Sequence, residues 1–124
     1  MNASDFRRIA LNLKDAEQGS HMGAVDFRVG GRIFATLASQ ELGYGNLIIR
    51  PELQAELIRQ RPDLYLSVAG GWGRMGATHI RLAEAKEADL KQALEAAWED
   101  RIKRNNQTSA SKRLGKPSRK LRED

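Results

Sequence analysis

The sequence predicts an α+β domain in which helices pack on an antiparallel sheet. Three stretches carry apolar residues at the helical spacing of three and four positions. Between them lie five short runs of alternating or β-branched apolar residues, bounded by glycine and proline. The elements follow in the order α-β-β-β-α-β-β-α, and 124 residues suit one domain with a single modest core.

The first helix is predicted near the start of the chain. Its apolar stripe, at positions i, i+3, i+4 and i+7, consists of Phe6, Ile9, Ala10 and Leu13. Ser4 or Asp5 is expected to cap it, because a short side-chain oxygen there can accept from the free backbone N–H groups of the first turn. Residues 15–23 predict a loop.

A β-hairpin is predicted at residues 25–37, where two alternating runs flank a Gly-Gly turn. A two-residue turn would pair Val29 with Arg32 and Phe27 with Phe34, which places both phenylalanines on the core face. The opposite face of the hairpin would then carry Asp26, Arg28, Ile33, Ala35 and Leu37.

The remaining predicted elements are a strand at 46–50, a helix from Pro51 to just before Pro62, strands at 64–68 and 77–82, and a helix at 87–104. Pro51 suits the first turn of a helix because it has no N–H to leave unpaired there. His79 alternates with apolar residues of the last strand, which predicts an exposed imidazole on the sheet.

A glycine-rich segment, residues 70–76, joins the last two predicted strands. Its sequence, Gly-Gly-Trp-Gly-Arg-Met-Gly, predicts a tightly shaped hairpin tip with positive φ at Gly73 and Gly76 and with Trp72 and Arg74 exposed to a partner. The letters also match G-x-G-x-x-G, but a dinucleotide site needs that motif to open a helix, and here it leads into a strand. The residues expected to shape the two turns are Gly30, Gly31, Gly71, Trp72, Gly73 and Gly76.

The positive charge of the chain is concentrated at its C-terminal end. The net charge is +5, yet residues 101–124 hold nine Lys or Arg against two acidic residues, a net +7. Residues 1–100 hold 12 basic and 14 acidic residues, a net −2. Apolar residues nearly vanish after residue 104, which predicts a domain at 1–104 and a basic, disordered tail at 105–124.

The sequence contains no strong catalytic or metal-binding pattern. Cysteine is absent, and the two histidines, His21 and His79, have no partners at ligand spacing. We therefore expect no metal, no cofactor and no enzymatic activity, with a small-ligand pocket near Trp72 as the alternative. The first 13 residues carry charges and no apolar run, which predicts neither a signal peptide nor a membrane span and favours a cytoplasmic protein.

Six segments follow one another in an order and spacing found in a known family: residues 6–11, 21–23, 27–37, 71–76, 81–82 and 97–98. Among them, Gly-Trp-Gly-Arg-Met-Gly and the late Ala97-Trp98 are the most distinctive. Together these segments resemble the MmcQ/YjbR family of small bacterial cytosolic proteins, over residues 3–103. The resemblance implies a frataxin-like α+β sandwich. It also implies a DNA-binding role through two projecting hairpins, a double wing, here the Gly-Gly turn at 30–31 and the segment at 70–76.

DNA or another polyanion is therefore the expected partner. The residues expected to contact it are Arg28, Arg32, Arg74, His79 and Arg81 near the hairpins and Lys112, Arg113, Lys116, Arg119 and Lys120 in the tail. Arginine suits phosphate because its planar group donates two parallel hydrogen bonds. The alternative is a protein-interaction module or homodimer that uses the half-apolar sheet face around Ile33, Ala35 and Leu37.

Overall fold

The computed structural model describes the backbone of residues 1–115 and the side chains of residues 1–107. The helices are α1 (Ala3–Leu11), α2 (Pro51–Gln60), α3 (Gly71–Arg74) and α4 (Glu87–Gly115), with a 3-10 turn at Gln40–Leu42. The strands are β1 (Glu17–His21), β2 (Ala24–Val29), β3 (Arg32–Thr36), β4 (Tyr44–Ile48), β5 (Tyr65–Ser67) and β6 (Ala77–Arg81). They form one antiparallel sheet in the order β1-β2-β3-β4-β6-β5, so the predicted α+β class is confirmed.

The core lies between the sheet and helices α1 and α4. Its fully buried large side chains include Phe6 of α1, Leu90 and Leu94 of α4, and Phe27, Phe34, Leu47 and Ile80 of the strands. The cap of α1 differs from the prediction. Asn2 accepts from the backbone N–H of Asp5 (3.0 Å), and the Asp5 carboxylate accepts from that of Asn2 (2.9 Å). The N-cap is therefore Asn2 and not Ser4 or Asp5, while Asp5 takes part in capping as the third residue of this reciprocal box.

The predicted loop at residues 15–23 contains a strand. Residues Glu17–His21 form β1, which pairs along its whole length with β2, from Glu17 opposite Arg28 to His21 opposite Ala24. Four of its five residues are exposed, since β1 is an edge strand with little core contact. An edge strand of this kind buries no alternating apolar set, and the sequence therefore carries no period-two signal for it.

The hairpin of β2 and β3 is confirmed at its turn but not along its length. Val29 pairs with Arg32 as predicted, whereas Phe27 pairs with Ala35 because a β-bulge interrupts the register. The bulge turns Ala35 and Leu37 into the core, where both are buried, and leaves Ile33 partly exposed. The predicted half-apolar face around Ile33, Ala35 and Leu37 is therefore wrong.

Strands β5 and β6 form the second predicted hairpin, but its connection is not an extended tip. Residues Gly71–Arg74 wind into the helical turn α3. The positive φ expected at Gly76 is present at +113°, whereas Gly73 has no positive φ. Gly73 is instead required by a close approach, because a Cβ there would overlap the carbonyl oxygen of Val68.

The last helix is longer than the prediction. It does not end near residue 104, since its backbone continues to Gly115. Asn105, just past the predicted end, is held in the helix: its amide donates to the backbone oxygen of Val29 (3.1 Å) and accepts from Arg101 Nε (3.1 Å), which ties this turn of the helix to the hairpin turn. A separate tail beginning at residue 105 stays a prediction, and residues 116–124 lie outside the described chain.

Candidate functional site

The two glycine-rich turns lie at the same end of the sheet. Strand β2 ends and β3 begins at the Gly-Gly turn, where Gly30 and Gly31 have φ of +63° and +79°. Antiparallel pairing then places the end of β4 beside the start of β3, and Ile48 at that end pairs with Ala77, which directly follows the second turn. The register therefore brings residues 30–31 and 70–76 to the same end of the strands, although they are 40 residues apart in the chain. We refer to this end of the sheet as the edge of the domain.

Each turn contributes an exposed arginine. Arg32 is the first residue of β3, and Arg74 is the last residue of α3. Both side chains are exposed, and neither makes a hydrogen bond or ion pair with any residue that the structure describes. These two predicted contact residues are thus available to an outside anion.

The C-terminal half of α4 crosses the same edge. Arg104 donates to the backbone oxygen of Ile48 (3.0 Å), and Asn105 binds the Gly-Gly turn through Val29. Asp100, which is 3% exposed, holds this part of the helix by accepting from Arg50 N (3.2 Å) and Arg50 Nε (2.7 Å). Arg104 Nε lies 3.2 Å from the same carboxylate. A single buried carboxylate therefore gathers two guanidinium groups at this edge.

We call Arg32, Arg74, Arg101 and Arg104 the basic edge. Burial lowers the pKa of Arg101, and the positive charges of Arg104 and Arg32 lower it further, while Asp100 acts in the opposite direction. Arg101 and Arg104 lie one turn apart on α4, and the bond from Asn105 to Val29 places this turn beside the hairpin turn that precedes Arg32. An anion bound here would relieve the repulsion between these cations.

Arg28 and Arg81, two other predicted contact residues, have partners within the domain. Arg28 is bound in mid-strand to Asp26, through Nε–Oδ1 (2.9 Å) and Nη2–Oδ2 (3.1 Å). Arg81 lies at the opposite end of β6, where it donates to the backbone oxygens of Pro62 (3.3 Å) and Asp63 (3.1 Å). The side chains of Lys112, Arg113, Lys116, Arg119 and Lys120 lie outside the described part of the chain.

His79 is not the exposed residue that the alternation predicts, since it is 9% exposed. The Tyr44 ring stacks on its imidazole with centroids 4.2 Å apart, and Nδ1 lies 2.7 Å from Asn46 Oδ1. Asn46 Oδ1 can only accept, so Nδ1 carries the proton in the neutral ring. Burial lowers the pKa of His79, with a smaller contribution from the charge of Arg81. His79 thus belongs to a structural network, which Asn46 extends to Thr36 (3.1 Å) and Ser39 (3.1 Å).

A groove opens beside the basic edge on the sheet face that carries Asp26, Thr36, Asn46 and His79. Trp72, which is 61% exposed, lines two cavities of about 250 and 420 Å³, and Ile48 lines both with it. The smaller cavity is completed by His21, Ala24, Val25, Asp26, Ile33, Thr36 and Ala38. The larger cavity is completed by Ile49, Gly71, Met75, Ala77 and Arg104. We call both cavities together the Trp72 groove.

Sequence reasoning missed the contribution of α4 to this edge. The composition predicts Arg101 and Arg104 at the end of a helix and Asn105 in a tail, and nothing in the sequence indicates that these residues contact the β2–β3 turn.

The described residues contain neither a membrane-spanning helix nor a metal-binding cluster. No helix there is long and apolar enough to cross a membrane. No three His, Asp or Glu side chains there converge to hold a metal ion.

Comparisons with known proteins agree with this architecture. A family model described as YjbR matches residues 11–100. The crystal structure of a Deinococcus radiodurans protein with a DUF419 domain superimposes with a TM-score of 0.60 at 17% identity, covering 78% of this chain and 75% of that chain. No curated protein matches the sequence. Because the family model spans most of the chain and the fold agrees, this protein belongs to the YjbR family.

Proposed function

We propose that this protein binds nucleic acid without catalysis and that the basic edge contacts the phosphate backbone. The observation that carries the proposal is that strand register places the turns of Arg32 and Arg74, 40 residues apart in sequence, at one end of the sheet. Arg101 and Arg104 of α4 lie at the same end, where Arg104 binds Ile48 and Asn105 binds Val29. Neither Arg32 nor Arg74 is neutralised by a described carboxylate. Structural ion pairs occupy most other arginines of the domain, so these two stand out as binding groups.

The chemistry of the edge matches a polyanion. Guanidinium groups donate in a planar fork that fits two phosphate oxygens, and phosphate contacts supply most of the affinity of non-specific DNA binding. The β2–β3 turn fits the predicted wing. The second turn contributes Arg74 from a helical turn, because Gln54 Nε2 donates to the backbone oxygens of Gly73 (3.0 Å) and Ala77 (2.9 Å) and holds it against the domain.

The basic tail would extend the same surface. Helix α4 carries the chain past the basic edge, and residues 108–124 hold six Lys or Arg and two acidic residues, a net +4. Those cations are Lys112, Arg113, Lys116, Arg119, Lys120 and Arg122. A segment of this composition attracts phosphate without reading base sequence.

The test measures the binding of a labelled duplex by fluorescence anisotropy over a series of salt concentrations. The double variant Arg32→Ala/Arg74→Ala should bind more weakly, and its slope of log K against log salt should be shallower by about 1.8, because each lost phosphate contact removes about 0.9. The charge-matched control is Arg59→Ala/Lys91→Ala, whose side chains are exposed toward the opposite end of the molecule. Its slope should equal that of the wild type.

A second arm separates the tail from the domain. Truncation after Gln107 keeps Asn105 and its bond to the hairpin turn, and it should reduce the slope by up to about 4. The truncated domain should still bind duplex at low salt and should still respond to Arg32→Ala/Arg74→Ala. The proposal fails if the truncated domain has no measurable affinity, or if the Arg59→Ala/Lys91→Ala control loses as much as the test variant.

A further inference from the structure

We propose that the Trp72 groove receives an unpaired base of a single-stranded nucleic acid whose phosphates lie on the basic edge. This inference depends on the proposed function and specifies it: the preferred ligand is a single strand, and one base leaves the solvent to stack on Trp72. It assigns a role to the aromatic residue and to the sheet face, neither of which phosphate binding uses.

The shape of the groove favours a flat ring. Trp72 stands at the boundary of both cavities and keeps 61% of its surface exposed, so one face of the indole can be covered by a ligand. The floor beside it is made of small or branched apolar side chains, notably Ala24, Ala38 and Ile48. A cavity of about 250 Å³ is smaller than the 300–1,000 Å³ typical of pockets that enclose a whole drug-sized ligand, and it suits a single ring system.

The polar groups of the groove floor indicate which hydrogen-bonding groups a bound ring must carry. Thr36 Oγ1 accepts from the backbone N–H of Ala38 (3.2 Å) and from Asn46 Nδ2 (3.1 Å). A hydroxyl has two acceptor positions and one donor, so the proton of Thr36 is left to donate. Asp26, also in the floor, is neutralised by Arg28. The floor therefore offers a donor to a carbonyl oxygen or ring nitrogen, and every nucleobase has such an acceptor on its edge.

The neighbouring charges select a nucleotide over an apolar side chain of a protein partner. Arg74 follows Trp72 by two residues, and Arg104 lines the larger cavity that Trp72 shares. Stacking aromatics bordered by cations are the common feature of single-strand binding sites. Among the residues that line the groove, Trp72 and Met75 are the large apolar side chains that are exposed. A stable protein–protein interface buries about 800 Å² on each partner, which is more than two such side chains provide.

The experiment compares a labelled oligothymidylate of about 12 nucleotides with a duplex of equal length, using the full chain. Wild type should bind the single strand more tightly. Trp72→Ala should weaken single-strand binding about 10-fold or more and leave its salt slope unchanged, because stacking releases no counterions. Duplex binding should stay within about twofold, and Trp72→Phe should restore most of the single-strand affinity.

Leu42→Ala is the matched control, since Leu42 is a large apolar residue that is 74% exposed in the 3-10 turn. It should change neither affinity. A direct readout is quenching of Trp72 emission by the oligothymidylate in a Trp98→Phe background, with the thermal melt of that variant confirming its fold.

The outcomes separate the two proposals. If the wild-type protein binds neither the single strand nor the duplex, both the proposed function and the base-stacking proposal are wrong. Equal binding of single strand and duplex with no effect of Trp72→Ala would overturn base stacking alone and leave the basic edge intact. If Trp72→Ala instead converts a dimer into a monomer in light scattering without altering single-strand affinity, the groove pairs two copies of the chain and the inference is wrong.

Discussion

The helical turn α3 should be much less tolerant of a methyl group at Gly73 than at Gly71. Both glycines belong to the same four-residue turn, and neither has a positive φ. A Cβ on Gly71 would meet only Arg74 Nη2 at 3.6 Å, an ordinary contact, whereas a Cβ on Gly73 would overlap the backbone oxygen of Val68. The two substitutions therefore differ in the space around the new methyl group and not in backbone conformation.

The cost of Gly73→Ala follows from what must move. Forced overpacking costs about 1–3 kcal/mol, and displacing the turn also strains the buried bond from Gln54 Nε2 to the oxygen of Gly73, whose loss costs about 1–3 kcal/mol. Together these lower the free energy of unfolding by about 2–6 kcal/mol. The entropy of unfolding for a chain of this size makes 1 kcal/mol worth about 4 °C, so the melting temperature should fall by about 8–24 °C.

Gly71→Ala should raise the melting temperature slightly or leave it unchanged, because alanine restricts the unfolded chain at a position where it fits, which is worth about 0.4–1 kcal/mol. Scanning calorimetry or circular dichroism measures both variants against the wild type. If Gly73→Ala melts within about 2 °C of Gly71→Ala, the close approach between α3 and Val68 does not constrain the fold, and the reasoning is refuted.

Two further predictions concern buried polar groups. Asp100→Ala should lower the free energy of unfolding by about 2–3 kcal/mol, which is below the about 3–5 kcal/mol of a fully buried pair because Arg50 and Arg104 are partly exposed. Glu99→Ala, at the exposed neighbouring residue, should change it by less than about 0.5 kcal/mol. Equal chemical-denaturation midpoints for the two variants would contradict this prediction. His79 has a pKa below its ordinary 6.5, so the unfolded chain takes up the proton more readily, and the stability supplied by the neutral ring is complete above about pH 6.5 and lost as pH falls through the lowered pKa. The melting temperature of the wild type should therefore drop more between pH 7.5 and pH 5 than that of His79→Gln, and parallel curves would show that His79 does not titrate with folding.

Local signals were sufficient for most of the helices and strands. The apolar stripe of α1, the proline at the start of α2 and the alternation of β6 all lie within short windows of sequence, and each element forms where it was predicted. Strand β1 could not be found in this way because its residues are almost all exposed. Backbone pairing with β2 holds β1 in the sheet, and the side chains of β1 itself do not indicate this pairing.

The errors at the candidate site have a common physical origin in contacts between distant segments. The bulge opposite Phe27 shifts every later residue of β3, and no local pattern distinguishes it from regular pairing. The burial of His79 depends on Tyr44, which is 35 residues away and reaches it only through the pairing of β4 with β6. Alternation within β6 therefore predicts the correct sheet face for the imidazole of His79 but the wrong solvent exposure.

The winding of residues 71–74 changes what the glycine-rich segment can do. In an extended wing, the side chains of Trp72 and Arg74 would project away from the sheet. Both could then contact only a groove or the phosphate backbone of a nucleic acid. In the helical turn, Gln54 and the close approach at Gly73 hold the segment against the domain, so Trp72 lines a cavity with Ile48 while Arg74 stays exposed. Under the two proposals, phosphate contact by Arg74 and base stacking on Trp72 would be neighbouring functions of this one turn. Because the first responds to salt and the second does not, the salt dependence of Arg74 and Trp72 variants separates them in a single titration series.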